Sequence, residues 1–164
     1  MEVFYNCRKK YMMSSNKIKI ANAPCSWGVL EFELEGEAMG YQQVLDEIAA
    51  TGYAGTELGD WGFMPTDPAA LNRVVKSKGL DLLGAFVPVA LVDESALVEG
   101  IERALKTAGL MHAAGYPGAF IVLADNNGTV PDRTANAGRI QAGQLLSPEQ
   151  YKTIAKGADA LAAA

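Results

Sequence analysis

Cysteine is nearly missing from this chain of 164 residues, which has only Cys7 and Cys25. Two thiols that far apart give no disulfide framework and fit a reducing compartment, so a cytoplasmic location is expected. Histidine is scarcer still, with His112 alone. It falls in a helical stretch beside Met111 and Ala113 and reads as a helix-face residue with no catalytic task, which excludes a Ser/His/Asp triad. There is no His-x-His, no Glu-x-x-His and no paired cysteine, so spacing alone assembles no metal constellation. Positive charge is outnumbered, with 14 Lys+Arg against 19 Asp+Glu. That balance argues against a nucleic-acid partner, because no counterion-releasing basic stripe exists. No apolar run reaches the roughly 18 residues of a spanning helix, so no membrane segment is read. The 17 glycines form neither a Gly-x-Gly-x-x-Gly after the first strand nor a Walker-type loop, which leaves nucleotide-binding readings without support.

What is present is a core-forming composition: 49% of residues are apolar and 20% charged. A chain of this size reads as one domain. A complete (β/α)8 barrel takes about 250 residues, so eight units do not fit. The first residues are basic (Arg8, Lys9 and Lys10, then Lys17 and Lys19) but lack the apolar stretch of a secretory signal. Residues 1–16 are expected to be a disordered extension, with Met12 or Met13 as an alternative start.

From residue 17 the pattern alternates between strand and helix. Ile18, Ile20 and Ala21 through Trp27 predict a first strand, closed by Pro24 and Gly28. An acidic loop follows, with Glu31, Glu33, Glu35 and Glu37 at alternate positions, and it reads as a solvated loop. Tyr41, Val44, Leu45, Ile48 and Ala49 recur at helical spacing. Ala54–Leu58 predicts the second strand. Asp67-Pro68 is an N-cap with a proline in the first turn, opening a helix that buries Leu71, Val74 and Val75. Leu80–Leu91 reads as a buried strand. Ser95–Ala114 reads as a helix with Leu97, Ile101, Leu105 and Ala108 on its inner face. Ala119–Leu123 predicts the fourth strand. Ser147-Pro148-Glu149-Gln150 caps a last helix with Tyr151, Ile154, Ala155, Ala158 and Leu161 on its apolar face.

Helices end at Gly52-Tyr53, Gly79-Leu80 and Gly115-Tyr116, each followed closely by an apolar strand. Glycine supplies the left-handed position after a helix, and the next apolar residue packs back onto it. The spacing of about 30 residues is that of a βαβ unit. Together these features predict an α/β fold with a parallel sheet and right-handed crossovers, its strands apolar on both faces.

In parallel α/β folds, ligands gather at the carboxyl ends of the strands. Those positions hold Ser26 and Trp27, then Glu57, Asp60 and Trp61, then Phe86 and Pro88, and finally Asp125, Asn126 and Asn127. Aromatic faces with carboxylates and amides suit a small polyhydroxylated ligand. Each residue also has a plainer reading. The two tryptophans fit a core roof equally well, Asp60 a turn, and Asp125 to Gly128 ordinary loop chemistry. Glu57 stands inside an apolar strand, where an ionised carboxylate needs a partner or a task.

The stretch Ile18 to Gly28, ending Ala-Pro-Cys-Ser-Trp-Gly, together with Gly55-Thr56-Glu57-Leu58-Gly59-Asp60-Trp61-Gly62, resembles the xylose-isomerase-like sugar isomerase/epimerase superfamily. Within it the chain is similar to the inosose dehydratases of myo-inositol catabolism. Leu80–Leu91 and Val122 to Asp125 fit that barrel's third and fourth strands. The resemblance implies TIM-type (β/α) units, four of the eight, so that residues 17–164 correspond to an N-terminal half-barrel. It further implies a keto-sugar or inosose as substrate, with Trp27, Glu57 and Trp61 toward it, and Asp125 joins them as a substrate-binding candidate by its strand-end position. A divalent metal (Mn²⁺, Co²⁺ or Mg²⁺) is implied on Glu, Asp, His and Glu of later strands, beyond these residues. No catalytic acid or base is assignable within them, and little activity is expected of this chain alone. A non-catalytic sugar-binding or self-assembling module, pairing through exposed sheet edges, is the alternative.

Overall fold

The computed structural model describes residues 18–27, 39–125 and 130–164. Cys7, the Arg8–Lys10 cluster, Lys17, the alternating glutamates, and Asn126 with Asn127 lie outside the described residues, as does the expected extension over 1–16.

Strands β1 (Ala21–Asn22), β2 (Gly55–Glu57), β3 (Asp81–Val89) and β4 (Phe120–Asp125) form one sheet in the order β1-β2-β3-β4. Every neighbouring pair is parallel. The helices between and after them are α1 (Tyr41–Ala50), α2 (Pro68–Ser77), α3 (Leu97–Ala113), the short α4 (Pro131–Ala135) and α5 (Pro148–Ala163). A parallel sheet with strands in sequential order, each joined to the next through a helix, is the arrangement of consecutive TIM-type (β/α) units.

Local chemistry explains where the elements stop. Gly52, Gly79 and Gly115 sit at φ of 87°, 69° and 90° after α1, α2 and α3. The N–H groups of Tyr53, Leu80 and Tyr116 each donate to a carbonyl five residues back, on Ile48, Val75 and Met111, at 3.4, 3.2 and 3.0 Å. That bond is the closing bond of the Schellman motif, and it turns the chain straight into the next strand. At the other end of α2, Asp67 Oδ1 accepts from the Ala70 N–H at 2.8 Å, with Pro68 in the first turn. Ser147 and Gln150 cap α5 reciprocally: Gln150 N–H donates to Ser147 Oγ at 3.2 Å, and Ser147 N–H to Gln150 Oε1 at 2.8 Å.

The main core joins Val44, Leu45 and Ile48 of α1 to Leu71 and Val75 of α2, with Leu80, Leu82 and Ala85 from the third strand region and Leu110 and Met111 of α3. A second cluster joins Val87, Val89 and Leu91 to Ala104, with Leu97, Leu123, Ile154 and Leu161 packed against it. Asn72 Nδ2 bridges α2 to the end of α3 by donating to the Ala114 carbonyl at 2.8 Å.

The structure corrects the sequence reading in three places. The first strand is only Ala21–Asn22, and Pro24–Trp27 is a 3₁₀ turn. Pro24 has no N–H to give a ladder and its φ is fixed, so pairing stops there. On α3 the buried residues are Gly100, Ala104, Thr107, Leu110 and Met111, whereas Leu105 is 47% exposed. Beside Val89 the helix lies so close to β3 that Gly100 and Ala104 take the contact, and the large Leu110 and Met111 are buried further along. Nor are the strands apolar-covered on both faces. Phe120 and Val122, in register with Gly84 and Phe86, are 71% and 43% exposed, while Ile121 and Leu123 pack into the clusters beneath the helices. The helices cover one face of the sheet and leave the other open among the described residues.

Candidate functional site

The carboxyl ends of β3 and β4 open into a cleft of about 650 Å³. Ala90, Val92 and Asp93 after β3, Asp125 at the end of β4, and Val130, Asp132 and Arg133 line it. Segment 143–146 and Gln150 complete the lining. Parallel strands direct their ends to one edge of the sheet, which is why residues 34 positions apart, Leu91 and Asp125, meet here. The Leu91 N–H donates to Asp125 Oδ1 at 3.2 Å. Arg133 Nη1 stands 4.0 Å from Asp125 Oδ2, each side chain about one-quarter exposed.

The rest of the lining is tied to the protein. Gln144 Nε2 donates to the Asp132 carbonyl at 3.2 Å, and its Oε1 accepts from the Gln141 N–H at 2.9 Å. Asp93 Oδ1 accepts from the Ser95 hydroxyl at 2.6 Å and the Ser95 N–H at 2.9 Å. Those bonds, the hydroxyl's first, hold the Asp93 carboxyl below its ordinary pKa. The lining carries three carboxylates, one guanidinium and two amides, with apolar patches between them. Such a surface accepts and donates to hydroxyl groups while covering C–H faces.

A smaller cleft, about 320 Å³, lies between the loop after β2 and α3. Gly59, Asp60, Trp61, Phe86 and Pro88 line it with Arg103 and Thr107. Lys106 Nζ stands over the Trp61 ring, 4.1 Å from its centroid. Arg103 donates to the Pro88 carbonyl at 3.1 Å and to Glu99 at 2.8 Å.

Neither of these two clefts holds all four residues predicted to face a substrate. Asp125 lies in the larger cleft and Trp61 in the smaller, with one ring face under a lysine. Trp27 packs edge-on against Tyr53, ring centroids 5.7 Å apart, at the border of the main core. Glu57 ends β2 half-buried, in register with Gly84, and has no ion-pair partner among the described residues. His112 is exposed on α3.

Comparison with known proteins points to one group. The chain is 36% identical over 82 residues to an inosose dehydratase of Salmonella typhimurium, a stretch covering 50% of this chain and 24% of the relative. An inosose dehydratase of Erwinia tasmaniensis is 34% identical over 74 residues, covering 45% of this chain and 24% of its own. That of Geobacillus kaustophilus is 25% identical over 142 residues, or 87% of this chain and 45% of the relative. Even the longer match thus spans less than half of the relative. No protein-family model and no solved structure matches the chain.

The divalent metal implied by the resemblance to inosose dehydratases needs several convergent donors. Among the described residues no group of three His, Cys, Asp or Glu side chains gathers to hold one. These residues do not fit a resident metal site. No helix among them is long and apolar enough to cross a membrane.

Sequence reasoning missed the cleft's guanidinium. Arg133 comes from α4, a helix too short for apolar periodicity to reveal. Its only local signal is Pro131-Asp132, a proline at the first helical position followed by an acid in the first turn.

Proposed function

We propose that this chain forms the sugar-binding wall of an inosose dehydratase-like lyase, taking a cyclic keto-polyol at the carboxyl ends of β3 and β4. The observation that carries the reading is the similarity to inosose dehydratases, at 34–36% identity over 74–82 residues. The hydroxyl-suited cleft at the strand ends supports it. In the dehydration, a proton leaves the carbon beside the ketone and hydroxide leaves the next carbon, releasing one water as the double bond forms. In this proposal a divalent metal (Mn²⁺, Co²⁺ or Mg²⁺) belongs to side chains outside those described, and the present residues bind and orient the polyol. The test is to measure both binding of 2-keto-myo-inositol and its dehydration by the 164-residue chain, with Mn²⁺ or Co²⁺ added. Saturable binding with little turnover supports the reading. Robust turnover by these residues alone contradicts the division of labour, and absence of binding contradicts the whole.

The open sheet face favours a second reading, self-association. Phe120 and Val122 lie exposed on it, and Leu83 is 42% exposed. Parallel sheets are ordinarily covered on both faces, and an open edge invites a further strand. A second copy fits this geometry, because among the described residues β1 and β4 are both free edges of a parallel sheet. β4 of each copy meets β1 of the other, and the two open faces turn inward. Light scattering at rising concentration is expected to show a dimer that Phe120→Lys dissociates. A wild-type monomer over that range contradicts this reading.

A further inference from the structure

Among the described residues the Arg133 guanidinium has one long ion-pair contact and no hydrogen bond. Its Nη1 stands 4.0 Å from Asp125 Oδ2, beyond hydrogen-bond distance, and its Nε is buried with no partner. A guanidinium has five donors, and burying one unmet is unfavourable. Among the described residues none of the neighbouring polar side chains is hydrogen-bonded to it. Gln144 has spent its amide on Asp132 and Gln141, Gln150 Oε1 accepts from Ser147, and Asp93 Oδ1 accepts from Ser95. Asp125 is fixed from its other side by the Leu91 N–H, so one carboxylate oxygen is held toward Arg133.

The gap between the two side chains therefore has a donor on one side and an acceptor on the other. An oxygen placed beside the 4.0 Å line reaches hydrogen-bond distance from both ends. It must accept from the guanidinium and donate to the carboxylate. A hydroxyl does both. A ketone or phosphate oxygen has no hydrogen to give Asp125, and a phosphate also meets the negative charge of Asp93, Asp125 and Asp132.

We propose that Arg133 and Asp125 together hold one hydroxyl of the ligand, making Arg133 a substrate-positioning residue; this rests on the polyol reading above. The ligand is a neutral polyol with a hydroxyl at that point, not a phosphorylated sugar.

The experiment is calorimetric titration of 2-keto-myo-inositol, and of its monodeoxy analogues one position at a time, into the wild-type chain, Arg133→Gln, Arg133→Lys and Asp125→Asn. Far-UV circular dichroism confirms that each variant is folded, and Arg133→Lys keeps the charge should Arg133→Gln not fold. Removing one partner of a charge-assisted bond is expected to weaken binding about ten- to a hundredfold in Arg133→Gln, with partial recovery in Arg133→Lys. One monodeoxy analogue is expected to bind wild type and Arg133→Gln equally, because the hydroxyl they differ over is gone. Wild-type binding that Arg133→Gln and Arg133→Lys leave unchanged overturns the assignment and leaves the polyol reading standing. The same loss with every monodeoxy analogue also overturns it, since Arg133 would then act without reading a hydroxyl. Absence of wild-type binding refutes the polyol reading, and this assignment with it.

Discussion

Gly100 controls how closely α3 lies on β3, and substituting it should be destabilising even though alanine is the better helix former. A Cβ built at Gly100 would lie 2.3 Å from Val89 Cγ1, 3.0 Å from Cγ2 and 3.2 Å from Cβ. Val89 is 2% exposed and β-branched, so the obstacle is a stiff, fully packed side chain. Alanine at a helix interior gains about 1 kcal/mol over glycine. Overpacking of this kind costs about 1–3 kcal/mol, and the 2.3 Å approach places it at the upper end. The net expectation is a loss of about 2 kcal/mol, or roughly 4–8 °C in Tm for a chain this long. Urea unfolding followed by far-UV circular dichroism measures it. The double variant provides the decisive comparison. Val89→Ala alone leaves a cavity, and adding Gly100→Ala to it fills that space, so the double variant should be more stable than Val89→Ala. Gly100→Ala as stable as wild type, or additive with Val89→Ala, would refute close helix-strand contact as the reason for glycine here.

Three further outcomes follow from single contacts. Asn72→Ala removes the bond to the Ala114 carbonyl and should lower stability by about 1 kcal/mol, read by urea unfolding; no change would place that carbonyl's partner elsewhere. Ser147→Ala removes one half of the α5 cap and should lower stability by about 1 kcal/mol, whereas Ser147→Gly should cost less. Asp81 accepts from Lys76 Nζ at 2.8 Å, a bond that holds its carboxyl below the ordinary range and raises Lys76. A depressed carboxylate stabilises the fold above the unfolded pKa and loses that effect as pH falls through the folded one. Wild type should therefore exceed Asp81→Asn in stability at neutral pH, with the difference shrinking as pH falls below the ordinary carboxylate range and in high salt.

The readable part of this fold was local backbone chemistry. Gly79-Leu80 and Gly115-Tyr116 mark helix ends because a left-handed residue and a returning N–H act within six positions. Asp67-Pro68 and Ser147 mark helix starts because their side-chain oxygens accept an N–H three residues on. What the sequence hid was long-range. The rotation of α3 depends on how near Val89 comes to Gly100, which no helical period records. The end of β1 was legible in Pro24, yet the apolar run to Trp27 outweighed it. Leu83, Phe120 and Val122 look like core residues, and composition does not reveal that one face of their sheet is open. In the candidate site, Asp125 was recognisable by its place at a strand end. Arg133 was not, because only tertiary structure brings its guanidinium to 4.0 Å from Asp125.

The central claim is that a cyclic keto-polyol binds at the carboxyl ends of β3 and β4. Titrating 2-keto-myo-inositol into the isotopically labelled chain and following backbone amide signals tests it most directly. The account predicts saturable shifts concentrated at Ala90 to Asp93, at Asp125 and at Val130 to Arg133, with the Leu91 amide, which donates to Asp125, among the largest. Saturable shifts clustered instead around Trp61 and Arg103, or no saturable shift at all, would contradict it.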